Sequence, residues 1–209
     1  MRAKGDALTL RLRQEAMRAE KLLRPCAGRF VAMEERAMAR AAAKEAGVQV
    51  SFDGGWEACE RAQACFHLFE DMPVYTYQWL QIRWNARFAR VAHGDLLGSL
   101  MALGIDRSYF GDLVTQEGEA FLCALPEAAC RLPGEWQKAG NTPIQVSVME
   151  DAPKLAVPVG VFLRDTVPSL RLDCVVAEGF GISRSQAAAD IAAGLVSLRH
   201  AECLRAAEE

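Results

Sequence analysis

The chain has 209 residues, a net charge of −3 and 51% hydrophobic residues, a balance typical of globular proteins that bury a core. This length allows one domain or as many as three small ones. Its longest apolar runs fall short of the roughly 18 residues that a membrane helix needs, so we expect no transmembrane segment and no membrane partner. The cysteines, described next, indicate a cytoplasmic protein.

The seven cysteines are odd in number and scattered along the chain, which predicts reduced thiols packed as small apolar side chains. Cys59, Cys65 and His67 form the one cluster that resembles metal ligands, and it lacks the C-x-x-C spacing of a zinc site. Phosphate-loop, dinucleotide-binding and nucleophile-elbow motifs are absent from the sequence. We therefore expect no metal, no cofactor, no catalytic residue and no small-molecule substrate.

Residues 1–71 predict an N-terminal α+β domain, an α/β segment that begins with an amphipathic helix interrupted at Pro25. The elements predicted after it are a helix from about Ala32 to Ala46, a strand over Val48–Phe52, a turn at Asp53-Gly54-Gly55, a helix over Trp56–Ala64 and a short strand over Cys65–Phe69. Gly47 is expected to end the second helix as its C′ residue.

Residues 72–152 predict a middle domain with the order β-α-β-β-α-β. The predicted elements are a strand over Tyr75–Trp84, a helix over Asp95–Leu103, a hairpin of 112–115 with 120–125, a helix over Pro126–Lys138 weakened by Pro133 and Gly134, and a strand through Ile144, Val146 and Val148. This order is the split βαβ arrangement of ferredoxin-like and RNA-recognition folds. The aromatic RNP1 motif of the latter is absent.

The segment 164–209 predicts two short helices and the start of a strand. The first helix is expected from Ser169 to Glu178, with Ser169 as its N-cap. Ser183 and Gln186 have the spacing of a capping box at the start of the second helix, which Gly194 would end. Val196 and Leu198 then begin a strand.

The start of this second helix suits a phosphate group, because exposed N–H groups and the helix dipole attract anions. Arg184 in the first turn is disfavoured by the dipole unless an anion is nearby, and Arg171 could add a charge-assisted contact. The candidate RNA-binding residues are Arg171, Ser183, Arg184, Ser185, Gln186 and Arg199, with a further basic surface at Arg83, Arg87, Arg90 and Arg164. The alternative is that Arg171 and Arg184 pair within the protein with Asp173, Glu178 or Asp190.

The C-terminal segment resembles the S4 RNA-binding domain. The residues that carry the resemblance are Arg171-Leu172-Asp173, Phe180-Gly181-Ile182-Ser183-Arg184-Ser185-Gln186-Ala187, Ile191 and Gly194-Leu195-Val196. The expected final strands and basic tail of such a module do not fit before Glu209, so the S4 module is expected to be incomplete. Arg199-His200 also stands where S4 domains commonly have Asn.

The upstream residues narrow the resemblance to the YlmH family. They are Phe52-Asp53-Gly54-Gly55-Trp56, Glu60-Arg61, the run from His93 to Ile105, Arg107 and Gly111-Asp112, although Gly94 replaces a basic residue usual in the family. The resemblance implies an N-terminal domain, a ferredoxin-like middle domain and a C-terminal S4 domain. It also implies binding to ribosomal RNA on the large subunit, contact with tRNA, and a role in handling stalled nascent chains. We expect a monomer.

Two alternatives stay open. Arg171-Leu172-Asp173 also resembles a pseudouridine synthase motif in which the aspartate is catalytic, so the chain could be the remnant of an RNA-modifying enzyme. A protein–protein adaptor linked to cell division is the other alternative, since ferredoxin-like sheets often serve as docking surfaces. His93 and Asp95 are expected to be structural, with Asp95 in the first turn of its helix.

Overall fold

A computed structural model of the chain describes residues 2–87, 90–116, 118–157, 162–198 and 201–208. The chain divides into two compact units, Met1–Val157 and Pro158–Glu209, and each is described by itself. Both contain helices and strands, so the expected mixed α+β class is confirmed.

The first half of unit 1 is a three-stranded antiparallel sheet with the strand order β1-β3-β2, covered by two helices. Its elements are α1 (Arg2–Leu22), β1 (Cys26–Val31), α2 (Arg36–Glu45), β2 (Gln49–Asp53) and β3 (Ala62–His67). Helix α1 buries Leu12 and Ala16 against Phe66 of the central strand. Each large apolar side chain buried in this way stabilises the fold by about 1.5–3 kcal/mol.

The predicted helix over Trp56–Ala64 is wrong. Residues 56–61 form turns, and β3 begins at Ala62. The backbone N–H of Glu60 and the indole N–H of Trp56 donate to Asp112, far away in sequence, and these bonds favour the turns over a helix. Strand β1 has no predicted counterpart. The N-terminal helix, strand β2 and the role of Gly47, which has φ +69° after α2, are confirmed.

The second half of unit 1 is a four-stranded antiparallel sheet with the strand order β5-β6-β4-β9. Its elements are β4 (Gln78–Arg83), α3 (His93–Ala102), β5 (Phe110–Gln116), β6 (Glu119–Ala124), α4 (Pro126–Ala129), α5 (Leu132–Glu135), β7 (Lys138–Ala139), β8 (Thr142–Pro143) and β9 (Gln145–Val148). The helix predicted over Pro126–Lys138 is two short helices, with Pro133 in the first turn of α5, and the small hairpin β7–β8 follows them.

The two faces of this sheet bury different partners. On one face, Leu80 and Leu122 join Leu100 of α3 and Trp136 in the largest cluster of buried residues. On the other face, Trp79, Phe121 and Cys123 of the sheet form a separate buried cluster with Phe30 of β1. The two halves of unit 1 therefore share buried apolar contacts.

Unit 2 is a helix pair followed by a short hairpin. It comprises α6 (Leu172–Phe180), α7 (Arg184–Ala192), β10 (Ser197–Leu198) and β11 (Ala201–Glu202), with Val176, Ala187 and Ile191 in its core. Helix α6 starts later than predicted, since Arg171 and not Ser169 is its N-cap. Gly179 lies inside this helix, and Gly181 ends it in the left-handed conformation with φ +63°.

All seven cysteines are free, as expected, and Cys65, Cys123 and Cys174 are buried. Cys130 is exposed, so the expectation that the thiols are packed in apolar surroundings is wrong for this residue. Within the described ranges, no helix combines the length and the apolar character needed to cross a membrane.

Candidate nucleic-acid interface

The two helix N-termini of unit 2 differ in what they bind. The backbone N–H groups of Leu172 and Asp173, at the start of α6, donate to the carbonyls of Glu208 and Ala206, at 2.8 and 3.1 Å. The start of α7 carries exposed polar side chains instead. The start of α7 is therefore the helix N-terminus that presents hydroxyl and guanidinium groups at the surface.

Two arginines of unit 2 share one carboxylate. Arg171 donates from Nε to Oδ1 and from Nη2 to Oδ2 of Asp173, both at 3.1 Å. Arg184 donates from Nη2 to Oδ2 of the same side chain, at 3.0 Å. The side chain of Asp173 is 7% exposed, whereas those of Arg171 and Arg184 are 39% and 57% exposed. A buried carboxylate thus holds two solvent-facing guanidinium groups side by side.

These hydrogen bonds set both the protonation and the charge of the cluster. The bonds from Arg171, and then those from Arg184, hold the pKa of Asp173 well below its ordinary value, so the carboxylate stays ionised at neutral pH. Two guanidinium groups and one carboxylate leave a net charge of +1. The internal pairing with Asp173, one of the alternatives above, is confirmed, and it leaves a positive charge at the surface.

The hydroxyl groups expected at this helix start are in place. Ser183 Oγ accepts from the N–H of Gln186 at 3.1 Å, which confirms Ser183 as the N-cap, and it lies 2.9 Å from Ser185 Oγ. The capping box is only half formed, because Gln186 Nε2 donates to Asp190 Oδ1 at 2.8 Å. Asp190 lies one turn further along the helix, within reach of the side chain of Gln186, so it replaces the N-cap backbone as the partner of that side chain.

The remaining predicted basic residues lie elsewhere. Arg164 is exposed in the irregular segment before α6, and Arg199 lies outside the described residues. In unit 1, Arg83 ends β4 with a side chain 65% exposed, and its Nε is 3.9 Å from Glu119 Oε2. Arg87 and Arg90 are exposed in the loop that follows. The structure therefore brings Arg171, Ser183, Arg184 and Ser185 together.

A second arginine–aspartate cluster, inside unit 1, had no counterpart in the sequence predictions. Asp112 accepts from Trp56 Nε1 and Glu60 N, both at 2.9 Å, and from Arg61 N at 3.0 Å. Arg61 and Arg107 donate to the carbonyl of Phe110. Burial, followed by the charge of Arg61, lowers the pKa of Arg107 to about 10. These donors join the two halves of unit 1, so the cluster is a structural junction.

His93 and Asp95, which are expected to be structural, have partners within the fold. His93 Nε2 donates to the carbonyl of Leu113 at 3.1 Å, and Asp95 Oδ2 accepts from the N–H of Ala92 at the start of α3. His67 contacts Ser51 Oγ and the carbonyl of Leu68. In the part of the chain that the structure describes, no three His, Cys, Asp or Glu side chains are grouped to hold a metal.

Comparisons with known proteins agree with this architecture. Residues 72–152 match a family model described as "Putative RNA-binding domain in YlmH". Over 174 residues the chain is 30% identical to the "Ribosome-associated protein quality control protein P2" of Bacillus subtilis (strain 168), covering 81% of this chain and 67% of that protein. The solved structure of the cell division protein ylmH from Streptococcus pneumoniae superposes with a TM-score of 0.55 and 20% identity, covering 69% of this chain and 91% of that one. The chain therefore belongs to the YlmH-type family.

Proposed function

We propose that this protein binds structured ribosomal RNA on the large ribosomal subunit in the cytoplasm. The observation that carries the proposal is the pair of exposed guanidinium groups of Arg171 and Arg184, held by the buried Asp173 at the start of α7. Guanidinium groups bind phosphate oxygens well, and hydroxyl groups at a helix N-terminus add further donors. Arg171, Ser183, Arg184 and Ser185 are the phosphate contacts, and Gln186 extends the surface. Arg199, which lies outside the described residues, is kept as an RNA contact on the sequence pattern alone.

The relatives support the ribosomal assignment. The Bacillus relative is named as a ribosome-associated quality control protein, and the model matched by residues 72–152 is named for RNA binding. From these names we extend the proposal to a role with stalled ribosomes, in which the RNA includes nascent-chain tRNA. The protein acts as a monomer.

The domain assignment is part of the same proposal. It places an N-terminal α+β domain at 1–71, a ferredoxin-like domain at 72–152 and an S4-type domain at 164–209. The middle sheet supports the second of these. Strand β6 lies between β4 and β5, and β4 lies between β6 and β9, so each β-α-β unit is split by a strand of the other. The assignment of an S4-type domain is supported by the two short consecutive helices of unit 2 and the hairpin that follows them.

The proposed role is not catalytic. A catalytic aspartate must reach its substrate, whereas the side chain of Asp173 is 7% exposed and is bound by two arginines. This geometry favours a structural counter-ion over the active-site residue of an RNA-modifying enzyme.

Co-sedimentation with purified ribosomal subunits on sucrose gradients tests the proposal. The wild type is compared with the double variant Arg171→Glu, Arg184→Glu, and with the control Arg13→Glu, Arg131→Glu. The control changes the same number of charges at arginines that are also ion-paired and half exposed. We expect the wild type and the control to travel with the large subunit and the cluster variant to stay at the top.

A second variant separates loss of contact from loss of fold. Arg171→Lys with Arg184→Lys keeps both charges next to Asp173 but removes the fork geometry of the guanidinium, so it should fold and bind less tightly. If the wild-type protein stays at the top of the sucrose gradient in low salt, the ribosomal proposal is contradicted. Association that survives ribonuclease and high salt would instead support a protein–protein adaptor, because RNA binding weakens steeply with salt.

A further inference from the structure

An open cleft lies at the end of the central strand β4, in unit 1. It has a volume of about 680 Å³ and is lined by Arg83, Trp84 and Arg87 on one side and by residues 143–145, which join β8 to β9, on the other. This volume is in the range of small-molecule and nucleotide sites. Arg83 pairs with Gln145 across the sheet, so the two sides of the cleft belong to adjacent strands.

Trp84 also lines a second cleft. This one has a volume of about 520 Å³, and Arg90, Gln116 and Gly118 are among the residues that line it. The indole of Trp84 packs partly against the core of the sheet and is intermediate in exposure. Trp84 therefore lines both clefts, and each cleft has at least one arginine in its lining.

The backbone around Trp84 is held in place. Its N–H donates to the carbonyl of Gly118 at 3.4 Å, and Asn85 Oδ1 accepts from the N–H of Arg87 at 3.2 Å. Gly118 has φ +77°, and a Cβ there would lie 3.4 Å from Ala86 Cβ. Two hydrogen bonds thus support the backbone of Trp84 and of the turn that follows it.

The described residues that line these clefts carry only positive formal charge. Among the described residues that line either cleft, the charged side chains are Arg83, Arg87 and Arg90. Glu119 Oε2 lies 3.9 Å from Arg83 Nε and accepts from Gln81 Nε2 at 2.6 Å. Between Met72 and Gly94 the sequence contains no acidic residue.

We propose that Trp84 and these arginines form a binding site for an unpaired RNA nucleotide. The base stacks on the indole, and the adjoining phosphates bind Arg83, Arg87 and Arg90. Stacking on an aromatic ring tolerates any base and is available only to bases outside a duplex. The inference rests on the proposed function and adds to it, because the site in unit 2 binds phosphates of structured RNA and the Trp84 site selects an unstacked nucleotide.

Binding of two fluorescent RNAs to the full chain tests the site. One RNA is a ribosomal hairpin with a single bulged nucleotide, and the other is the same hairpin without the bulge. In Trp84→Leu, which keeps an apolar side chain on the core, we expect affinity for the bulged RNA to fall about tenfold and affinity for the other RNA to stay unchanged. The matched control is Phe69→Leu, at an aromatic residue that is 78% exposed and lines neither cleft.

A photo-crosslink gives a second readout that does not depend on a folded variant. With 5-iodouridine at the bulge, illumination of the wild-type complex should link the RNA to the peptide that contains Trp84. Equal affinity of Trp84→Leu and wild type for the bulged RNA, or a crosslink confined to other peptides, overturns the Trp84 site and leaves the proposed function standing. Failure of the wild type to bind either RNA overturns both proposals.

Discussion

Among the described residues, arginines surround an aspartate both in unit 1 and in unit 2, and the two aspartates differ in the groups that they bind. In unit 1, Asp112 accepts three hydrogen bonds from an indole and two backbone N–H groups, while the guanidinium group of Arg61 donates to backbone carbonyls. In unit 2, the side chain of Asp173 accepts hydrogen bonds from the guanidinium groups of Arg171 and Arg184.

Asp112 joins parts of a fold, whereas Asp173 prepares a binding surface. The donors to Asp112 are neutral groups of the segment 56–61, so its bonds connect that turn with strand β5. Charged donors bring exposed cations to Asp173, so its bonds fix a positive surface. Residue type and spacing alone do not distinguish these roles, because the distinction depends on which atoms donate and on how much of each donor faces solvent.

The largest effect is expected from Asp112→Ala. The substitution leaves the N–H groups of Trp56, Glu60 and Arg61 without their acceptor, and the free energy of unfolding should fall by about 3 kcal/mol in urea denaturation. Asp151→Ala, at an exposed residue, is the control. A loss below about 1 kcal/mol would show that water replaces the carboxylate and that Asp112 does not join the two halves of unit 1.

Arg184→Ala should act on binding and hardly on stability. The loss of one charge-assisted phosphate contact should weaken ribosomal RNA binding about tenfold and reduce the slope of log affinity against log salt by about one. Fluorescence anisotropy over a salt series measures both quantities. Arg131→Ala removes a comparably exposed arginine outside the cluster and should change neither. An unchanged salt slope in Arg184→Ala would exclude this contact.

Ser183→Ala tests the helix start itself. Without the hydroxyl that accepts from Gln186, α7 should lose about 1 kcal/mol of stability, a typical value for an N-cap. Hydrogen exchange of the α7 amides is the measurement, because it follows this helix separately from unit 1. Ser147→Ala, at an exposed strand residue, should leave the same amides unaffected. If the α7 amides of Ser183→Ala are protected as well as those of the wild type, atoms other than Ser183 Oγ cap the helix.

The smallest effect at neutral pH is expected from proton binding, and it has opposite signs in the two units. The pKa of Asp173 is lowered from 3.8, so its contribution is complete above that pH and is lost as pH falls through the lower folded value. Burial raises the pKa of Glu15 in α1 above 4.5, so its ionisation opposes folding as pH rises from 4.5 through the folded value. Carboxyl ¹³C shifts measured between about pH 2 and 7 should show that, on acidification, Glu15 takes up its proton before Asp173 does. The reverse order would refute both assignments.

Local patterns in the sequence were sufficient for elements that local chemistry controls. The N-cap at Ser183, the glycines that end α2 and α7, the alternating strand β2 and the hairpin of β5 with β6 follow from propensity and turn residues. The two guanidinium groups at the start of α7 were also expected, from a helix dipole that disfavours an unpaired cation there.

Contacts between distant residues account for the errors. The segment 56–61 has the composition of a helix and forms turns because its donors reach Asp112, more than fifty residues away. Trp84 was predicted only as the end of a strand, and its position between two clefts depends on β8, β9 and Gly118. A tryptophan beside Arg83 in a stretch without acidic residues was the signal that could have indicated this site.

By itself, the sequence determined the α+β class, the YlmH-type resemblance and the residue types at the start of α7. These depend on local propensity and on motifs that a single chain displays. Only the tertiary structure decided that Asp173 is buried between Arg171 and Arg184, that Asp112 joins two halves of unit 1, and that Trp84 borders two clefts. The reason is physical: burial and hydrogen-bond partners depend on groups far apart in sequence, which only folding brings within 3 Å of one another.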